Sequence, residues 1–161
     1  MTAMYILHFF QWLGQSPVGA FMQQSTYAFA VVEMFHLLSL SILGGTILIV
    51  DLRLFGVGLR SQSAATLARE FKPYLIGSLA VSVVTGILLL SEEPMKCYYN
   101  QAFRLKMLFL AIAVFFYFVI QERLFLREST GSRDLFDKLA GIVSLLLWLS
   151  VGLAGRAIGI I

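Results

Sequence analysis

Four long apolar segments dominate the pattern of hydrophobic and polar positions along this chain. A helix needs about 20 residues to cross the hydrocarbon core of a bilayer, and its backbone groups must be satisfied within the segment. The segments therefore predict an all-α fold, an integral membrane four-helix bundle that forms a single membrane domain over residues 1–161. The predicted spans cover residues of about 27–50, 74–90, 102–120 and 139–158.

The segments between and before these spans are short. Residues 1–24 are aromatic, broken at Pro17 and too short to span, which predicts one or two interfacial helices on the membrane surface. The stretch SQSAATLAREFKP predicts a short amphipathic helix that ends before Pro73, and SEEPMKCYYN predicts a polar loop. In ESTGSRD, Ser132 is the predicted N-cap of the last helix.

Composition agrees with a lipid environment, because 59% of the residues are hydrophobic and 13% are charged. The net charge of +3 is spread along the chain without a basic stretch interleaved with aromatic residues, so nucleic acid is not an expected partner. Cys97 is the single cysteine, which excludes a disulfide within one chain and a CxxC centre. The expected partners are the lipid bilayer and either a second copy of the chain or another membrane subunit.

The distribution of basic residues predicts an orientation. Loops one and three hold most of them: Arg53, Arg60, Arg69, Lys72, Arg123, Arg127, Arg133 and Lys138. The segment before the first span has no lysine or arginine. Because basic loops stay in the cytoplasm, both termini are expected on the outer side.

The first span carries the most unusual residues, in VVEMFHLLSLSILGGTILIVDLRLFG. Glu33 and His36 lie one helical turn apart in an apolar helix, where ionisable side chains cost free energy unless they are paired. At 100° per residue they share a stripe with Leu40, Gly44, Ile47 and Asp51. This stripe is expected to face the other helices, with Arg104 or Arg156 in ion-pair reach of Glu33.

These residues suggest a cofactor site at the outer end of the bundle. A neutral imidazole can ligate haem iron, a glycine lets a flat ring approach the backbone, and arginines can hold carboxylates. The candidate cofactor-binding residues are His36, Glu33, Gly44, Arg104, Arg156 and His8, with His36 and His8 as candidate metal ligands. Haem b or a quinone is the possible cofactor. The simpler interpretation is that these polar residues only hold helices together.

Other chemistries have weaker support. The Glu-x-x-His spacing of di-iron bundles needs matching residues on the other helices, and the other spans have none. With two histidines in all, no hydrolytic triad is indicated. Asp51 and Arg53 are expected to form an ion-pair network at the inner boundary with Arg123, Arg127 and Lys138.

Several stretches carry a resemblance: FFQWLGQSP, TGILLL, NQAFRLKMLFLA, WLSVGLAGRAIG with its Gly155-Arg156 pair, and the first span with its Glu-x-x-His turn and the Asp-Leu-Arg-Leu turn at Asp51 to Leu54. They resemble an uncharacterised bacterial family of small four-span membrane proteins. The resemblance implies a bacterial inner membrane protein with four helices, and it implies no activity. Members often carry a histidine late in the third span, where this chain reads FFYFVIQE.

Two functions remain open from the sequence. The first is a redox-type membrane protein that binds haem b or a quinone near the periplasmic face of the bacterial inner membrane. The second is a non-catalytic accessory or structural subunit of a larger inner-membrane complex. Neither requires this chain alone to be an enzyme, and a transporter is less well supported because the four spans show no repeats or broken helices.

Overall fold

The computed structural model describes residues 2–56, 63–123 and 135–159, and these ranges contain helices and no strand. The predicted all-α fold is confirmed. In chain order the elements are α1 (Thr2–Gln15), α2 (Pro17–Gln24), α3 (Thr26–Phe55), α4 (Ala64–Glu92), α5 (Pro94–Tyr99), α6 (Gln101–Phe116), a π turn (Tyr117–Gln121) and α7 (Leu135–Ala157). The predicted N-cap at Ser132 lies outside the described residues.

Four helices are long and apolar enough to cross a membrane, as predicted: α3, α4, α6 with its π turn, and α7. They make the chain a multi-pass membrane protein. Their outward surfaces are apolar, since more than half of the surface of Phe115, Leu146 and Leu153 is exposed. Such faces suit contact with lipid, because lipid tails solvate large apolar side chains that water would not.

Two connections differ from the sequence prediction. Helix α4 begins after the N-cap Ser63 and runs without interruption through Pro73, so the predicted separate helix ending before Pro73 is wrong. A proline removes one backbone donor, and apolar membrane helices accommodate this by local adjustment. The predicted polar loop forms the short helix α5, for which Pro94 occupies the first turn, where its missing N–H has no cost.

The N-terminal segment breaks at Pro17, where the sequence predicted a break. Ser16 caps α2 by accepting from the backbone N–H of Gly19 at 3.1 Å. A Cβ on Gly19 would lie 2.6 Å from the carbonyl oxygen of Leu13, so only glycine fits this corner. Helix α1 packs against α5, and α2 packs against α3 and α4. Their interfacial position in the bilayer stays a prediction.

The four long helices meet around one apolar centre. Helix α3 packs most extensively against α4, α6 against α7, and α7 against α3. The centre contains Leu43, Ile47, Leu75 and Tyr117, with Leu40, Leu79 and Trp148 against them. Two polar regions lie on either side of it. One, near His36, is at the end of the bundle that holds α1, α2 and α5, here called the N-terminal end. The other is near Asp51, at the opposite end.

Candidate functional site

Small hydroxyl residues line the contact between α3 and α4. The buried positions of α3 recur every three or four residues, at His36, Ser39, Leu43, Thr46 and Val50. Those of α4 do the same, at Leu75, Ser78, Ser82 and Thr85. Small side chains let membrane helices approach closely, and their hydroxyls can bond across the contact. We call Ser39, Ser78, Ser82 and Thr85 the hydroxyl seam.

The seam replaces the predicted stripe in part. Glu33 and Gly44 are exposed, although the sequence placed them on the inward stripe with His36. The reason is that hydroxyl residues of α4 bond to His36 and Ser39, so the contact with α4 runs along these positions and leaves Gly44 outside it. His36 faces α4, whereas Gly44 is exposed. The two residues therefore do not line a common surface for a flat cofactor.

A hydrogen bond connects the two helices at the middle of the seam. Ser39 Oγ lies 2.8 Å from Ser82 Oγ. It also lies 2.8 Å from the carbonyl oxygen of His36, to which it donates. Because Ser39 has one hydroxyl proton and uses it on that carbonyl, Ser82 is the donor between the two hydroxyls. This hydrogen bond thus connects α3 to α4 about one helical turn away from His36.

The His36 side chain is buried in this seam with its tautomer determined by Thr85. Nδ1 of His36 lies 2.8 Å from Thr85 Oγ1, and Thr85 Oγ1 lies 2.7 Å from the carbonyl oxygen of Val81. A carbonyl can only accept, so Thr85 spends its single proton there and accepts from Nδ1–H. The neutral imidazole then carries its lone pair on Nε2. Within the described residues no hydrogen bond to Nε2 is found, although the Ser82 backbone also acts on the ring.

Two further residues shape the surroundings of the ring. A Cβ on Gly86 would lie 3.3 Å from Cε1 of His36, so the missing side chain at position 86 makes room for the imidazole. Lys106, half-buried on α6, acts electrostatically on His36. Its Nζ would lie 3.7 Å from a Cβ on Gly155 of α7. Lys106 forms no ion pair with any residue in the described part of the chain.

The predicted ion pair of Glu33 is not formed. Glu33 has no ion-pair partner among the described residues. Its carboxylate instead acts on that of Glu92, which carries a charge of the same sign. Arg104 instead stacks on Tyr98, with its guanidinium 5.5 Å from the ring centroid. Arg104 Nε also donates to the Tyr98 carbonyl at 3.2 Å. Arg156 is exposed in the last turn of α7. The formation of α5, which the sequence did not predict, presents Tyr98 to Arg104.

The remaining predicted residue, His8, is exposed on α1. Among the residues that the structure describes, no group of three or more histidine, cysteine, aspartate or glutamate side chains could hold a metal ion. Of the predicted cofactor residues, His36 alone is buried in the bundle. The structure brings Thr85, Gly86 and Lys106 to it instead.

A second polar cluster lies at the opposite end. Asp51 is completely buried and accepts a hydrogen bond of 2.7 Å from Gln121 Nε2 at the end of the π turn. The predicted ion pairs of Asp51 with Arg123 and Lys138 are absent from the described residues, and Arg127 lies outside them. The π turn ends at Gln121, which is buried and supplies the amide that Asp51 binds in place of these cations.

The sequence contained a signal for one of the missed residues. Lys106 lies inside the predicted third span, and apolar residues flank it on both sides in RLKMLFLA. A lysine embedded in an apolar stretch is a site candidate in its own right. Gly86 had no comparable signal, since a glycine in an apolar helix is common.

Comparison with known proteins identifies a family whose function is unknown. The model of a family of unknown function, DUF6644, matches residues 9–161, which is nearly the whole chain. No curated protein matches the chain, and no solved structure does.

Proposed function

Because the chain belongs to DUF6644, a family of unknown function, we propose its function from the site itself: it binds a quinone in the membrane, between His36 and Lys106 near the N-terminal end. The proposal requires one hydrogen-bond acceptor, one donor and an apolar path for the ligand. A quinone site needs no more than this.

The observation that carries the proposal is the fixed tautomer of His36. Since Nδ1–H is used by Thr85, Nε2 is the atom left to interact with a ligand, and its lone pair can accept from a quinol hydroxyl. The ammonium of Lys106 can donate to a quinone carbonyl on the other side of the ring, because no carboxylate neutralises it within the described residues. Exposed apolar residues of α3, such as Leu37 and Leu38, offer a surface for an isoprenoid tail.

Haem b receives less support from the same geometry. Ligation of its iron would use His36 Nε2, and the second histidine that could serve as an axial ligand, His8, is exposed on α1. Gly44 faces open space, since a Cβ at this position would have no atom within 4 Å, and it does not adjoin the imidazole. A quinone fits this arrangement better, because it needs one contact to His36 rather than two axial bonds.

For the orientation we propose that the N-terminal end faces the periplasm, with the protein in the bacterial inner membrane. The support is the charge at the two ends. Basic residues at the Asp51 end include Arg53, Arg69, Lys72, Arg123 and Lys138, whereas the segment before the first span has no lysine or arginine. A cysteine at position 63 in a Cys97→Ser background should react with a membrane-impermeant maleimide only after cells are permeabilised. Reaction in intact cells would reverse the orientation.

The decisive experiment measures quinone retention. The protein is purified in mild detergent, extracted with organic solvent and analysed by chromatography with mass spectrometry, and an absorption spectrum is recorded for haem. His36→Ala and Lys106→Met should each lower the quinone content per protein several-fold. The matched controls are His8→Ala and Lys96→Met, which remove the same side chains from exposed positions and should leave it unchanged.

Two results would overturn the proposal. A haem spectrum that disappears in His36→Ala would replace quinone by haem b. Absence of both cofactors from wild-type protein that is folded and taken from quinone-containing membranes would leave the accessory-subunit interpretation, in which the seam only fixes helix packing.

A further inference from the structure

Asp51 is a buried acid without a counterion among the residues that the structure describes. Its exposed fraction is 0%, and its one hydrogen bond among the described residues comes from the neutral amide of Gln121. An ionised carboxylate without a cation is very costly to bury, by far more than a neutral carboxylic acid. The residue therefore needs a positively charged ligand, and the smallest one is a proton.

The second carboxyl oxygen of Asp51, Oδ2, can carry that proton. Asp51 Oδ2 and Ser144 Oγ are both buried, and neither has a hydrogen-bond partner in the described part of the chain, although the Ser144 hydroxyl faces the same carboxyl. Helix α7 approaches α3 closely here, because a Cβ on Gly141 would lie 3.5 Å from the backbone oxygen of Asp51. Two unsatisfied polar atoms thus point into one enclosed contact between α3 and α7.

Asp51 forms no ion pair with a cation of the surrounding helices, as far as the structure describes them. Tyr117 of the π turn lies near Asp51, and an ordinary tyrosine carries no charge at neutral pH. Glu122 is paired with Lys72 of α4. The other charged groups of the neighbouring elements at this end are Arg53, Arg69, Glu70, Arg123, Asp137 and Lys138.

We propose that Asp51 is a proton-binding site within the membrane. A proton on Oδ2 makes the carboxyl neutral and is donated to Ser144 Oγ, while Oδ1 continues to accept from Gln121. The proton comes from solvent at the Asp51 end and returns there. Loss of the proton would place a negative charge between α3 and α7, so the site couples protonation to the contact of these helices. This inference is independent of the quinone proposal.

Infrared spectroscopy tests the protonation state directly. A protonated carboxyl absorbs as a separate C=O stretch above the amide I region, and the band shifts down in D₂O. Wild-type protein at neutral pH should show such a band, and Asp51→Asn should lose it. Ser144→Ala should move it to higher frequency, because the acid loses its acceptor. The matched control is Asp137→Asn, an acid on α7 closer to the end of the helix, which should leave the band in place.

Wild-type protein alone also decides the question, should Asp51→Asn not fold. Absence of the band at neutral pH would overturn the proposal. So would a melting temperature that rises when sodium chloride replaces choline chloride at equal concentration, because the ligand would then be a sodium ion. Persistence of the band in folded Asp51→Asn would assign the proton to another acid and equally overturn it.

Discussion

Gly86 of α4 and His36 of α3 stand in a close steric relationship, because a Cβ at position 86 would lie 3.3 Å from Cε1 of the imidazole. That separation is tight for a carbon–carbon contact, so the ring has its present position only because residue 86 has no side chain. The ring position in turn directs Nδ1 to Thr85 and leaves Nε2 for a ligand.

Gly86→Ala is expected to weaken quinone retention more than it changes stability. Alanine favours a helix over glycine by up to about 1 kcal/mol, which offsets part of the cost of displacing the ring. The displaced ring should lengthen the bond to Thr85 and lower quinone content a few-fold. Gly77→Ala on the same helix is the control, since nothing lies within 4 Å of its Cβ, and it should keep full retention. Equal retention in both variants would show that the ring position does not matter.

The hydrogen bond between Ser39 and Ser82 should contribute modestly to stability. Ser82→Ala removes the donor to Ser39 and is expected to cost about 0.5–1.5 kcal/mol of unfolding free energy, the range for hydrogen bonds between membrane helices. Ser82→Leu should cost more, because a large side chain separates α3 from α4. Ser41→Ala serves as the control: its hydroxyl is exposed and bonds only within α3, to the Leu37 carbonyl. Thermal unfolding in detergent ranks the three variants, and a Ser41→Ala loss as large as that of Ser82→Ala would contradict the assignment.

The sequence predicted the number of spans better than the facing of the residues in the first span. Length and hydropathy determine whether a segment crosses the membrane, and these properties are local. Facing depends on the partner helix. His36 and Gly44 share a stripe on an isolated helix, but the serines and threonine of α4 admit position 39 and turn position 44 outward.

The site partners illustrate the same limit. Arg104 contacts Tyr98 rather than Glu33, and this contact depends on the formation of α5. The hydrogen bond between Asp51 and Gln121 involves the last residue of the π turn. Both features are departures from regular span-and-loop organisation that residue type alone does not indicate. Lys106 was predictable, because a lysine between apolar residues at the start of a span requires a partner or a ligand.

Cys97 should alkylate slowly at neutral pH. Burial raises the pKa of its thiol, and the negative charge of Glu93 raises it further, while Lys96 lowers it. Since the thiolate is the reactive form and a raised pKa reduces its population at any given pH, the maleimide rate should lie below that of a free cysteine and climb at a pH above the usual thiol range. Glu93→Gln removes one raising charge and should increase the rate at neutral pH. A rate profile that matches a free thiol would contradict the effect of burial.

Asn100 should be the most sensitive of the helix caps that the structure describes, because it joins the start of the third span to the end of the fourth. Its Oδ1 accepts from the backbone N–H of Ala102 at 2.8 Å and of Phe103 at 3.3 Å, and its Nδ2 donates to the Ile158 carbonyl at 3.4 Å. Asn100→Ala loses all three and should cost about 1–2 kcal/mol of unfolding free energy, as buried N-caps do. Asn100→Ser keeps a capping oxygen without the reach to Ile158 and should recover most of that loss. Thermal unfolding of both variants separates the two contributions: if serine proved as destabilising as alanine, the contact with Ile158 rather than the cap would hold this end of the bundle together.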